Sequence, residues 1–139
     1  MTEPSSSAVH STIVGEETAV RRVVFLHGLF GRGKNFAGIA ARLAPEAQCL
    51  LVDLPNHGRS AWTEGFDYAQ MADLVAEHLR GGFAANGPVD VVGHSMGGKV
   101  AMVLALRHPE LVRRLVVIDI SPVGSQASRG DFRHLLDAL

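Results

Sequence analysis

Four short runs of Val, Ile and Leu, VVFLHG at 23–28, CLLVDLP at 49–55, VDVVGHS at 89–95 and LVVIDI at 115–120, constrain this chain more than any other feature. None alternates polar with apolar residues, so each predicts a strand buried on both faces. Amphipathic patterns of helical spacing lie between them. Phe36, Ile39, Ala40 and Leu43 form one stripe, with Asn35 as the candidate cap and Pro45 as the stop. Met71, Leu74, Val75 and Leu79 form a second, with Asp67 and Gln70 placed like a capping box and Gly81 and Gly82 as the exit. A third helix is expected from Met96 to His108, ahead of Pro109. Strict alternation of strand and helix predicts parallel βαβ units with right-handed crossovers: an α/β fold, its mostly parallel sheet covered by helices on both faces.

Residues 1–11 are polar and Ser-rich and are expected to form a disordered tail, leaving 12–139 as the folded unit. Phe132, Leu135, Leu136 and Leu139 again keep helical spacing, so the chain is expected to stop inside a helix. Thirteen Lys and Arg against 14 Asp and Glu give a net charge of -1, which recommends neither nucleic acid nor an anionic membrane as partner. A small molecule is the expected ligand. The single cysteine, Cys49, lies in an apolar run and reads as a buried thiol. The N-terminus lacks a basic and then apolar leader, and no apolar run approaches the ~18 residues of a membrane span, so the expected location is cytoplasmic.

The chemistry is concentrated in Gly93-His94-Ser95-Met96-Gly97, a G-x-S-x-G directly after a Val-rich strand and directly before a helix pattern. A serine forced into a strained turn there holds its hydroxyl out at the strand's C-terminal end, and flanking glycines permit close backbone approach. The following helix aims unpaired N–H groups at developing negative charge, with the Met96 N–H as the natural first oxyanion donor. Asp119 ends the last apolar strand, 24 residues after Ser95. Either it partners the site or it caps the turn at SPV; an unpaired carboxylate in so apolar a strand would be costly.

HGLFG at 27–31, DLPNHGRS at 53–60, GHSMGGKVAM at 93–102 and VVIDISPV at 116–123 together resemble the N-terminal half of the α/β-hydrolase superfamily, in its YbfF/ABHD11-like serine esterase branch. The resemblance implies that the chain ends at the start of a cap region, with a cap helix beginning near 131. It makes the backbone N–H of Leu29 the second oxyanion donor, Asp119 the triad acid, and Phe30 and His94 candidates for contacting substrate. His27 belongs to the loop motif and reads as a structural hydrogen-bonding residue. Asn56 stands where many relatives have Gly, a mild departure because Asn tolerates a left-handed backbone.

A triad of this fold runs Ser, acid, His in chain order. Only His134 follows Asp119, in an apolar helix pattern that suits a base poorly, so the triad His is expected to lie outside these residues. No His pair has metal-ligand spacing, and neither cofactor nor metal is implied. Gly28 to Lys34 and Gly93 to Lys99 both fit G-x-x-x-x-G-K, but Asn35 and Val100 replace the Mg²⁺-binding Ser or Thr of a phosphate loop. The expected activity is that of a serine hydrolase cleaving carboxylic esters or thioesters through an acyl-enzyme on Ser95. The alternatives are a non-catalytic fragment needing a partner or its missing C-terminal half, and a lyase of the same fold.

Overall fold

A computed structural model describes residues 8–29, 31–60 and 67–118. Its order is β1 (His10–Val14), β2 (Arg21–Leu26), a 3-10 turn (Gly33–Phe36), α1 (Ala37–Leu43), β3 (Ala47–Asp53), α2 (Tyr68–Arg80), β4 (Val89–His94), α3 (Met96–Arg107), a second 3-10 turn (Pro109–Leu111) and β5 (Val112–Ile118). The sheet order is β1-β3-β2-β4-β5, parallel except for β1. All four apolar runs are strands of this sheet.

Burial on both faces holds for the central β2 and β3, where successive side chains alternate between the two covered faces, whereas β5 departs from the expectation: it closes the described sheet at one edge, with Val116 and Ile118 exposed at 49% and 44%. Val24, Leu26, Leu50, Val52 and Val91 face one way, packed with Met71, Val75 and Leu79 of α2 and Val100 and Leu104 of α3. Val23, Phe25, Cys49 and Leu51 face the other, under Phe36 and Ala40 of the first helical segment. The Cys49 thiol is fully buried there, and burial raises its pKa.

Asp67 caps α2 as expected, its Oδ1 accepting the Ala69 and Gln70 N–H groups at 2.8 and 3.5 Å. Asn35 does not cap α1. It lies inside the 3-10 turn, where its Oδ1 accepts the Arg32 N–H at 2.7 Å, and α1 begins after Phe36 with no side-chain cap. β1 departs from the expected tail over 1–11, because His10 and Ser11 pair antiparallel with Asp53 and Val52. HSTIV is itself an edge strand of the described sheet and carries too few apolar residues to stand out by pattern; pairing with β3 on one side satisfies the N–H and C=O groups it turns that way. The expected helix near 131 lies outside the described residues.

The registers align the strand ends. Leu26 pairs with Val52 and Gly93, and His94 pairs with Ile118, so the loops after β2, β3 and β4 leave one edge of the sheet together. In open α/β sheets that carboxyl edge is where sites form.

Candidate active site

Ser95 connects β4 to α3 with φ 54 and ψ −117, a backbone region that residues bearing a Cβ seldom adopt. The turn closes because its flanks are glycine. A Cβ on Gly93 would lie 2.4 Å from the Gly97 carbonyl oxygen, and one on Gly97 would lie 2.2 Å from that of Leu26. The Ser95 N–H donates to the Ile118 carbonyl at 3.0 Å, tying the bend to β5, while its own carbonyl accepts the Gly98 and Lys99 N–H groups at 2.8 and 3.2 Å. The Ser95 side chain makes no capping hydrogen bond, and the residue is half-buried. The amides of Met96 and Gly97 belong to the first turn of α3, which has no carbonyl four residues back to bond them. The Met96 side chain itself is anchored in the core.

The loop after β2 faces this bend. A Cβ on Gly28 would stand 3.4 Å from the Ser95 Cβ and 3.3 Å from His94 Nδ1, so glycine lets the loop lie directly against the serine. Gly28 accepts the Gly31 N–H at 3.0 Å, closing a tight turn around Leu29, which is 49% exposed. Leu29, Phe36, Ile39 and His94 line a cleft of about 370 Å³ beside Gly28. Ile39 and Leu43, expected in the α1 stripe, are exposed at 52% and 40%. Only Phe36 and Ala40 reach the sheet, and Ile39 serves the cleft.

His27 holds this loop in place. Its Nε2 accepts the Leu54 N–H at 2.9 Å, so Nδ1 carries the proton and donates to the Gly28 carbonyl at 2.7 Å. Burial lowers its pKa and keeps the ring neutral. With both nitrogens committed, it cannot also serve Ser95 as a base.

The turn after β3 is built around Asp53. Its Oδ1 accepts the Gly33 N–H at 2.8 Å and its Oδ2 the Arg59 N–H at 3.0 Å, bonds that join the two neighbouring loops. A Cβ on Gly58, at φ 50, would lie 2.4 Å from Oδ2. Asn56 takes the left-handed backbone, φ 71, that its identity permits. The Ser60 hydroxyl donates to the Asp53 carbonyl and accepts the His10 N–H at 2.8 Å, which locks β1 to the turn.

Neither G-x-x-x-x-G-K string is a phosphate loop. In the first, the amides of Gly31, Arg32 and Gly33 are spent on Gly28, Asn35 and Asp53. The second is the serine turn itself, and Lys99 sits 5.8 Å from the Tyr68 ring centre. Among the described residues no three His, Cys, Asp or Glu side chains group as a metal site, and no helix is long and apolar enough to cross a membrane. Phe30, Asp119 and His134 lie outside the described residues; Asp119 directly follows Ile118, the neighbour of His94 in the sheet.

Residues 21–136 match the family model of the alpha/beta hydrolase fold. The chain is 46% identical over 107 residues to the sn-1-specific diacylglycerol lipase ABHD11 of Mus musculus, covering 74% of this chain and 34% of that protein. It is 34% identical over 108 residues to ethanol acetyltransferase 1 of Cyberlindnera fabianii, covering 76% and 32%. A solved marine microorganism esterase superposes with a TM-score of 0.77 at 32% identity, covering 92% of this chain and 49% of that one. The chain thus spans about a third of the length of these curated relatives.

Proposed function

The chain belongs to the α/β-hydrolase fold family, and from that premise we propose that it supplies the nucleophile and the oxyanion hole of a serine hydrolase acting on carboxylic esters or thioesters. The observation that carries this reading is the strained Ser95, held between the first-turn amides of α3 and a glycine loop at contact distance. Ser95 Oγ attacks the acyl carbonyl carbon, and a base takes the hydroxyl proton. The carbonyl oxygen becomes an oxyanion, stabilised by the N–H groups of Met96 and Leu29. Collapse of the tetrahedral intermediate expels the alcohol or thiol, which receives that proton, and leaves an acyl-enzyme that water resolves. Phe30 and His94 contact the substrate. Asp119 orients the base, which we assign to a histidine outside these 139 residues in accord with the chain order of such triads.

The likeness to an acetyltransferase that uses ethanol fits the same scheme, since an alcohol can replace water at the second step. Turnover of a short-chain aryl ester, followed with intact-mass measurement of the protein, tests the proposal. Joined to a segment that supplies the histidine base, the protein should release the aryl alcohol and form an acyl adduct on Ser95, whereas the 139 residues alone should keep only the roughly 10³–10⁴-fold over water that the oxyanion hole and binding give. Equal turnover by Ser95→Ala would overturn the assignment.

A further inference from the structure

A second cavity, about 730 Å³, opens on the same edge of the sheet, over the ends of β2 and β3 and the start of β1. Its walls include His10, Arg32, Lys34, Asp53, His57 and Arg59. Gly31 lines both this cavity and the apolar cleft beside Ser95, so one loop separates them. We propose that this cavity is an anion-binding subsite that holds a phosphate group carried by the substrate. Its place in the reaction rests on the Ser95 reading; its affinity for anions does not.

The charge balance carries the argument. Among the described residues Asp53 is the only acid lining the cavity, and both its oxygens are bonded to backbone amides. Among the described residues no carboxylate pairs with Arg32, Lys34 or Arg59. Two arginines elsewhere are paired, Arg80 with Glu110 and Arg107 with Asp73 at 2.7 Å, while Arg21, Arg42, Arg113 and Arg114 meet no carboxylate among the described residues, so what sets Arg32, Lys34 and Arg59 apart is their convergence on one concavity. A net charge of -1 also means that the basic lining is local rather than a property of the whole surface. Three permanent cations around one concavity concentrate anions there.

The shape of recognition follows. With the amides of residues 31–33, 57 and 59 committed, the side chains are the main donors left to an anion, and two guanidinium forks match the paired oxygens of a phosphate. The cavity lies within the range of small-molecule sites and leaves room for the group that bears the phosphate.

Titration of the full 139-residue chain with inorganic phosphate, read by amide NMR shifts, tests the site. Saturable shifts are expected at Arg32, Lys34 and Arg59. The Arg32→Gln/Arg59→Gln variant should bind about tenfold or more weakly, from the loss of two charge-assisted contacts. Arg21→Gln, exposed at the opposite edge of the sheet, should bind as the parent does. Both altered arginines are solvent-exposed, and retained NMR dispersion confirms the fold. Non-saturable shifts, or equal affinity in the double variant, overturn the proposal. A second arm compares two esters of one acyl chain whose alcohols differ only by a phosphate. The preference for the phosphorylated ester should fall in the double variant through KM, and an unchanged preference overturns the substrate assignment. Phosphate binding in this pattern while Ser95 stays unreactive even in the chain joined to a segment that supplies the base would refute the hydrolase reading and leave the anion site standing.

Discussion

Replacing Ser95 with glycine should make the protein more stable while removing its nucleophile. At φ 54 and ψ −117 the residue has the angles of the first central position of a type II′ turn, a conformation suited to glycine. Holding a Cβ there costs roughly 1–3 kcal/mol. Glycine relieves that strain but loses more backbone entropy on folding, which takes back roughly 0.5–1 kcal/mol. The Ser95 side chain makes no capping bond to α3, so nothing further is lost. The net gain is roughly 0–2.5 kcal/mol, centred on about 1 kcal/mol. With an m-value of about 1–3 kcal/mol per molar urea, the midpoint should rise by a few tenths of a molar to about 1 M. Urea unfolding followed by circular dichroism reads this directly, with Ser95→Ala as the control that keeps the Cβ. Alanine should stay within about 0.5 kcal/mol of the parent. A glycine variant no more stable than the parent, or an alanine variant that gains as much, would refute the claim of stored strain.

Gly97→Ala places a methyl 2.2 Å from the Leu26 carbonyl oxygen, a backbone atom that cannot swing aside. Its urea midpoint should fall by the equivalent of about 1–3 kcal/mol. His27 has a pKa lowered by burial, so its contribution to stability is present above the ordinary histidine value of 6.5 and is lost as pH falls toward its folded value. Unfolding free energy against pH should therefore drop through the mildly acidic range, and His27→Asn should be less stable near neutrality with a shallower slope below it. Hydrogen bonds from Arg107 and His108 bring the Asp73 pKa down to about 2 from 3.8. The contribution of this acid is present above about pH 4 and disappears between pH 4 and 2. Because the pair is substantially exposed, Asp73→Asn should cost less than about 1 kcal/mol in thermal unfolding at neutral pH, and least in high salt.

The central strands and the serine turn were legible because their signals are local. A continuous Val and Ile run, a G-x-S-x-G and a helical stripe each lie within a dozen residues, and each maps onto one element. β1 was not, since HSTIV owes its strand state to an antiparallel partner 35 or more residues away. Propensity carries no trace of that contact. The role of Asn35 was misread for a related reason: its side chain turns back to Arg32 because the chain makes a 3-10 turn before the helix begins. Ile39 looked like core by spacing, yet the sheet offers α1 room for only one narrow stripe. His27 was correctly read as structural, but its two partners, Leu54 and Gly28, emerge only when β2 and β3 lie side by side. The basic cavity was invisible altogether. Arg32, Lys34 and Arg59 are ordinary loop residues in sequence, and a strand end brings them together with His10 from a separate segment.

Reaction of the chain, joined to a segment that supplies the histidine base, with a fluorophosphonate probe, followed by peptide mapping, puts the activated serine to the most direct test. The account predicts modification on the peptide that carries Ser95 and none in Ser95→Ala, with buried Ser60 untouched in both. Equal modification of the alanine variant, or no modification of the parent chain, would contradict it.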